Sequence, residues 1–335
     1  MIVQALSAVY GAAATWRRRW YAAPSRARHL DAPVISVGNL RVGGSGKTPV
    51  VASIARLLQA RGEQPAVLSR GYARETAVAG VTVVSDRERV LVDVALAGDE
   101  PMLLARTLPG VPVLVCADRH AAGVEAETRH GATVHLLDDG FQHVRLARTV
   151  DLLLADEHDL SDRVLPAGRL REPLANAAVA HAVIVPGSRD ASRMVGERLG
   201  IGQVFWTTRS LGACWPIGGA EVPDRSTPVF AVAGIARPER FFDDLRTAGF
   251  EVRGTLAFRD HHRFSPSDVA RIVADARASG AAAVVTTEKD AMRLLNLDLR
   301  GFTFAAVPLE TTIEPSDTFA SWLTARLAAA KGRQG

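Results

Sequence analysis

Two cysteines in 335 residues, Cys116 and Cys214, exclude a disulfide framework. They lie far apart with no metal-ligand spacing, a usage that suits a reducing cytosol. Aromatic residues are scarce, at 6%. There is no internal repeat and no low-complexity tract. The apolar run that opens the chain covers about fourteen residues, short of the roughly twenty that span a bilayer. It is no secretory signal either, because its positive charges, Arg17, Arg18 and Arg19, follow the apolar run instead of preceding it. Charge of either sign is nearly balanced: the net value is +4, carried by Arg rather than Lys. Such an excess permits an anionic partner but selects none.

What is present is a globular composition, 47% hydrophobic, enough for a sizeable core. Short runs apolar on both faces begin at Val34, Ala66, Val111, Thr133, Val150 and Ala182. Helical patterns intervene at Pro49 to Arg61, Pro101 to Thr107 and Ala121 to His130. This alternation predicts a doubly wound α/β sheet with strands buried on both sides. The pattern loosens near Gly202 to Thr227, then resumes with "VFAVAG", "EVRGTLAF", "AAVVTT" and "FTFAAV" between helical stretches. The expected division is an N-terminal membrane-associating helix over 1–31, a phosphate-loop core over 32–203, a linker over 204–228 and a smaller α/β domain over 229–335 that includes a terminal helix. In the first segment Trp16, Trp20 and Tyr21 beside three arginines read as an interfacial anchor. They read equally as one side of an amphipathic helix packed on the domain.

The stretch "VISVGNLRVGGSGKTPVV" places a glycine-rich turn between a strand and a helix. That is the setting of a phosphate loop. Arg41, Val42, Gly43, Gly44, Ser45, Gly46, Lys47 and Thr48 form the expected nucleotide-binding segment. Its glycines allow backbone N–H groups to converge on an anion at a helix N-terminus. Lys47 would reach the terminal phosphates and Thr48 would offer its hydroxyl to Mg²⁺. The usual loop has glycine six positions before the lysine, where this chain has Arg41. Arg41 would take the extended entry conformation or add charge near the nucleotide. The deviant loop of partitioning ATPases needs a lysine where Val42 stands. The guanine-reading N-K-x-D has only "TEKD" near Thr287, in the wrong order, so ATP is expected rather than GTP.

Two carboxylates, Asp138 and Asp139, end an apolar strand, as an acidic metal-binding pair beside a phosphate loop does. A plain Asp-Asp-Gly turn is the alternative. "AGDEP" offers Asp99 or Glu100 either as a helix cap before Pro101 or as the acceptor of a hydroxyl proton. "FRDHHRFS" offers Asp260, His261 and His262, where a histidine beside a carboxylate could relay a proton.

In order along the chain, "VGNLRVGGSGKTP", "SRGY", "GDEP", "DDGFQH", "GRLREP", "DHHRFS" and "TTEKDA" closely resemble the tetraacyldisaccharide 4′-kinase family of lipid A biosynthesis. That family usually has Thr where Arg41 stands. The resemblance implies a phosphate-loop α/β core with a smaller C-terminal α/β domain. It implies ATP and Mg²⁺, and transfer of phosphate to the 4′-hydroxyl of a tetra-acylated glucosamine disaccharide 1-phosphate. It further implies work at the cytoplasmic face of the bacterial inner membrane, on a lipid substrate, with no nucleic acid and no obligate protein partner. By motif, Asp99 is the expected general base and His261 its partner, with His262 an alternative within the doublet. Asp138 and Asp139 match the acidic pair, and Glu172 is a further metal candidate. Arg70, Tyr72 and Arg171 are expected to meet substrate or nucleotide charge. A phosphate-loop ATPase acting as an assembly chaperone or switch is the rival, and a nucleic-acid ATPase a second one. The first would need metal-binding Cys or His clusters. The second would need a basic patch interleaved with aromatics in the core; here that composition occurs only at the N-terminus.

Overall fold

The structure, a computed structural model, describes residues 1–43, 46–71, 74, 76, 78–219 and 222–332. It divides into two units, 1–208 with 311–335, and 209–310. The first contains strands β1 (Val34–Asn39), β2 (Pro65–Ser69), β3 (Thr82–Ser85), β4 (Val113–Val115), β5 (Val134–Asp138), β6 (Val150–Leu154) and β7 (Ala182–Pro186). Strand β8 (Val204–Leu211) carries the chain out of this unit. The second unit holds β9 (Trp215–Ile217), β10 (Val229–Ala233), β11 (Val252–Ala257), β12 (Ala283–Thr287) and β13 (Thr303–Val307), and β14 (Leu309–Glu314) leads back. Helices are α1 (Ile2–Tyr21), α2 (Lys47–Ala60), α3 (Val94–Ala97), α4 (Asp99–Thr107), α5 (Arg119–His130) and α6 (Arg189–Leu199). They continue with α7 (Pro238–Thr247), α8 (Pro266–Ala278), α9 (Glu288–Leu294) and α10 (Ser316–Lys331).

Among the described residues the strands form two sheets, one of nine in the order β14-β8-β7-β6-β1-β5-β2-β4-β3 and one of five in the order β11-β10-β12-β13-β9. From β8 through β4 the neighbours of the larger sheet pair in parallel, and only β3 is shown to run against its neighbour. Strands β1, β2, β5 and β6 are buried at every position. That is why they read as continuous apolar runs, with no alternation to mark an exposed face. The doubly wound α/β expectation holds. The functional consequence is geometric: in such sheets ligands bind outside the carboxyl ends of the strands. In β1, β5, β2 and β4 those ends are level, since Val37 pairs with Asp138, Leu68 with Leu137, and Ser69 with Val115.

The division differs from the expected 229–335 domain at both ends, since the second unit begins at Arg209 and ends at Glu310. Helix α10 belongs with the first unit. Its Phe319 meets Phe205 of β8 edge-on at 4.9 Å between ring centroids, Trp322 packs on the same ring at 5.5 Å, and Leu323 and Leu327 are buried. The expected linker over 204–228 likewise contains two strands, β8 and β9.

Helix α1 docks along one narrow stripe. Ser7 donates to the Val164 carbonyl at 2.6 Å, Gly11 lies against Pro173, Thr15 donates to Asn176 Oδ1 at 3.2 Å, and Arg18 is buried. Spacings of four and three put these residues on one face. Ile2, Leu6, Val9, Trp16 and Trp20 fall on the opposite face and are exposed. Arg18 was expected at a surface with Arg17 and Arg19; its burial corrects that. Among the described residues no helix is long and apolar enough to cross a membrane.

Candidate active site

The site is built on the carboxyl ends of β1 and β5. Asn39 closes β1, and the chain then turns into α2, which begins at Lys47. Gly43 and Gly46 have φ of 101° and 76°, the left-handed region in which glycine bears no Cβ penalty. Gly46 is the N-cap residue of α2 and supplies no side-chain cap. The first N–H groups of the helix therefore face outward, with the positive end of the dipole behind them. Gly44 and Ser45 lie outside the described residues. So does Tyr72.

Lys47 sits between two oxygens. Its Nζ donates to Asn39 Oδ1 at 3.1 Å and lies 3.5 Å from Asp139 Oδ1. Arg171 grips the same carboxylate through both terminal nitrogens at 2.8 Å, and donates to the Asn39 carbonyl at 3.1 Å and to Asn39 Oδ1. Burial alone would raise the Asp139 pKa. The Arg171 hydrogen bonds and the Lys47 charge outweigh it and hold the group at about 2. Asp139 also has φ 56°, and His261 has φ 60°; among the described residues these are the two non-glycine positions with positive φ. Strained backbone of this kind clusters at functional sites.

Asp138 behaves differently although it is the adjacent residue. It is buried, and its Oδ1 has no hydrogen-bond partner among the described residues. Burial, then the neighbouring carboxylates of Glu100 and Asp139, push it up to about 7. Such a group fits a hard divalent cation, which takes oxygen ligands and reverses that balance. Thr48, half-buried one residue into α2, offers a hydroxyl at the same edge. Among the described residues no group of three or more His, Cys, Asp or Glu could hold a metal by itself. Mg²⁺ does not need one: it keeps waters and shares one or two carboxylates with substrate phosphates.

Three expected contacts are corrected. Arg41 is buried and turned into the protein, 2.7 Å from Asp156 and 3.2 Å from Asp159. Val42 donates its N–H to the Arg169 carbonyl at 2.9 Å, so that donor is already used. Arg41 forms an isolated antiparallel β-bridge with Leu170, which fits the extended entry conformation expected of it; what is corrected is its charge, which pairs inward. Glu172 is the third. Arg18 reaches its two oxygens at 2.8 and 2.7 Å, and Gln142 and Asn176 add bonds of 2.8 and 3.0 Å. Both oxygens are committed to holding α1, not to a metal.

Asp99 opens α4, whose N-cap is Gly98 with φ 86°. Neither Asp99 nor Glu100 is the cap, so the cap alternative falls. Asp99 lies in the first unit and His261 in the second, and each is described there. The His261 ring meets Lys289 Nζ at 3.3 Å, Arg293 Nη2 at 3.2 Å and, at 3.9 Å, Asp260, and the His261 N–H donates to the Gly234 carbonyl at 3.2 Å. His262 stacks on Phe258, contacts Phe264 and bonds Asp268, the carboxylate that completes the capping box of α8. The doublet thus divides: His262 packs the loop, while His261 sits on the strained backbone. Sequence reasoning missed Asn39, Gln142, Asp156 and Asp159. Only Asn39 had a signal, a polar residue closing a wholly apolar strand.

A family model described as tetraacyldisaccharide-1-P 4′-kinase matches residues 1–328. Tetraacyldisaccharide 4′-kinase of Geobacter metallireducens is 40% identical over 337 residues, covering 93% of this chain and 97% of the relative. The Nitrobacter hamburgensis protein of the same name is 39% identical, covering 98% and 95%. Among solved structures, Aquifex aeolicus LpxK, an "apo" form in complex with ATP, superposes with a TM-score of 0.76 at 31% identity, covering 98% of this chain and all of that one.

Proposed function

Because the chain belongs to the tetraacyldisaccharide-1-P 4′-kinase family, we propose how its residues divide the transfer of the ATP γ-phosphoryl group to the 4′-hydroxyl of a tetra-acylated disaccharide 1-phosphate. The product is the bis-phosphorylated lipid A precursor. The observation that supports this division most is Lys47, held at the head of α2 between Asn39 and Asp139. A cation so placed needs only to exchange those oxygens for phosphate oxygens. The backbone at Gly43 and Gly46 and the α2 N-terminus orient the phosphates. Arg171 keeps Asp139 ionised and fixed beside them. Asp138 and Thr48 would hold Mg²⁺, which when bound neutralises charge on the β- and γ-phosphates. Asp99, at the start of α4, accepts the proton of the 4′-hydroxyl as the oxygen attacks, with His261 as its partner.

The test is transfer of labelled γ-phosphate to purified tetra-acyl disaccharide phosphate. Lys47→Ala is expected to lower kcat by roughly two orders of magnitude or more, the cost of losing an electrostatic stabiliser. Near-normal turnover in a folded variant would overturn the phosphate-loop assignment. For the base, Asp99→Ala is expected to cripple turnover while nucleotide still binds. Adding His261→Ala should then cost less than the product of the single effects, as residues acting together do. Fully multiplicative losses would show that the two act separately.

We also propose that α1 lies in the surface of the inner membrane, on its cytoplasmic side. The acceptor carries four acyl chains, and the exposed stripe of Ile2, Leu6, Val9, Trp16 and Trp20 suits the acyl boundary. Deleting the helix would be a poor test, because it would strip Glu172 of Arg18. Replacing Leu6, Val9, Trp16 and Trp20 by Gln spares the docked stripe. This variant should lose sedimentation with anionic vesicles and lose more activity on bilayer-embedded acceptor than on detergent-dispersed acceptor. Unchanged sedimentation would place the contact elsewhere.

A further inference from the structure

In the second unit His261 is held by its backbone and by its ring, and both holds run through Gly234. Strand β10 ends just before Gly234 and β12 ends at Thr287; the two pair in parallel, with Val232 opposite Thr286. Thr287 caps α9 by accepting the Asp290 N–H at 3.1 Å. A spacing of three then puts Asp290 and Arg293 on one helix face. Asp290 is buried and accepts the Gly234 N–H at 2.9 Å, the Thr287 hydroxyl at 2.7 Å and Arg293 Nη1 at 3.1 Å. A Cβ on Gly234 would come 3.1 Å from Asp290 Oδ1 and 3.4 Å from His262 Cβ, so this close approach needs glycine. The Gly234 carbonyl accepts the His261 N–H at 3.2 Å and Arg293 Nη1 at 3.3 Å. The same carbonyl thus braces the His261 backbone at φ 60° and the arginine beside its ring.

The free end of that arginine meets the ring. The Arg293 side chain is 7% exposed, and its Nη2 lies 3.2 Å from His261 Nδ1. A guanidinium only donates. Nδ1 must therefore offer its lone pair, and the neutral ring carries its proton on Nε2. On the Nε2 side lie Lys289 Nζ at 3.3 Å and Asp260 Oδ1 at 3.9 Å. The lysine ammonium is a second donor, and a neutral imidazole has one acceptor nitrogen, so the two cations cannot both be met. Anchorage decides between them. Arg293 is fixed to a buried carboxylate and a carbonyl, whereas a lysine head on a four-carbon stem turns aside easily.

We propose that Arg293, backed by Asp290, is a positioning residue that fixes His261 in the Nε2–H tautomer. The ring then presents a hydrogen-bond donor to the base it assists. This rests on the kinase reading above, in which His261 is the partner of Asp99, and names the atom through which that partnership acts. A carboxylate base needs one oxygen directed at the acceptor hydroxyl, and an N–H on its other oxygen orients it without taking up the proton.

Arg293→Lys is the informative variant. Lysine keeps a cation for buried Asp290 and lacks the second nitrogen that reaches Nδ1. Nitrogen NMR on ring-labelled histidine in the full chain, under mildly alkaline conditions, reads the tautomer; the His261 signals are those lost in His261→Ala. The wild type should show one tautomer, protonated on Nε2, and Arg293→Lys a mixture of the two. For transfer to detergent-dispersed tetra-acyl disaccharide 1-phosphate, kcat should fall about tenfold, the scale of one hydrogen bond from a charged group, with KM for ATP unmoved. In a His261→Ala background the same change should cost nothing further, since its effect runs through the ring. A wild-type ring protonated on Nδ1, or a single tautomer that persists in Arg293→Lys, would overturn the proposal. So would equal kcat losses in both backgrounds, which would make Arg293 a support of the fold alone. Lys289→Met leaves the Asp290 pair intact and keeps the test alive if Arg293→Lys folds poorly: it should retain the wild-type tautomer, and a switch there would give the role to the lysine instead. The NMR readout needs no acceptor, so a wild type with the expected tautomer that phosphorylates no disaccharide would overturn the kinase reading, and the partnership with it, separately from the tautomer.

Discussion

Arg171 and Glu172 are neighbours in "LREP", and Gln142 bonds both Glu172 and the Asn39 carbonyl that Arg171 also meets, yet the two side chains hold different partners. Arg171 holds Asp139, whose side chain is 38% exposed, next to Lys47. Glu172 holds Arg18, with side chains 3% and 9% exposed. Both pairs are bidentate arginine–carboxylate contacts. The difference lies in what remains unsatisfied. Around Glu172 each oxygen accepts two bonds, and the Arg18 guanidinium also covers the Phe141 ring at 4.2 Å. Around Asp139 a lysine shares the carboxylate, and the adjacent Asp138 keeps an oxygen unpaired among the described residues. A saturated pair fixes structure. An unsaturated cluster at a strand edge retains capacity for a ligand.

The strongest way to break this comparison is to remove one partner from each pair. Arg18→Met leaves a carboxylate buried without its cation, and should cost about 3–5 kcal/mol of stability. Turnover per folded molecule on dispersed acceptor should stay near wild type. Asp139→Asn should do the reverse, lowering kcat about a hundredfold while the melting temperature moves little. Combining Arg18→Met with Glu172→Met should recover much of the lost stability, since a buried pair replaced by apolar groups is often neutral. Thermal melts and single-turnover assays on the same preparations decide it. Equal kinetic losses for Arg18→Met and Asp139→Asn would dissolve the distinction.

The parts that the sequence revealed are those with a local cause. Strands buried on both faces leave apolar runs, so β1, β2, β5 and β6 were legible. The glycine turn before Lys47 carries its chemistry in its own residues. Helix α10 was legible as a helix but not as part of the first unit, because its placement depends on Phe205, more than a hundred positions away. The partners of Glu172 and Arg41 were not legible for a related reason. Each is a charged residue within a functional motif, and its role is set by a distant partner, Arg18 in one case and Asp156 in the other. Spacing along the chain holds no record of such pairings.

The smallest expected effect sharpens the comparison at its most ambiguous member. Arg41 occupies a phosphate-loop position but pairs inward, with Asp156 and Asp159. If it belongs to the saturated class, Arg41→Lys is the informative change. Lysine keeps the charge that the two carboxylates require, and loses the fork that meets both of them at once. Burial already raises Asp159, which can take up a proton if its share of the cation weakens. The loss should therefore be about 1 kcal/mol in stability, the scale of one hydrogen bond. KM for ATP should be unchanged, because the guanidinium is held by Asp156 and Asp159. A rise in KM for ATP at an unaltered melting temperature would return Arg41 to the nucleotide, as its place in the motif suggests.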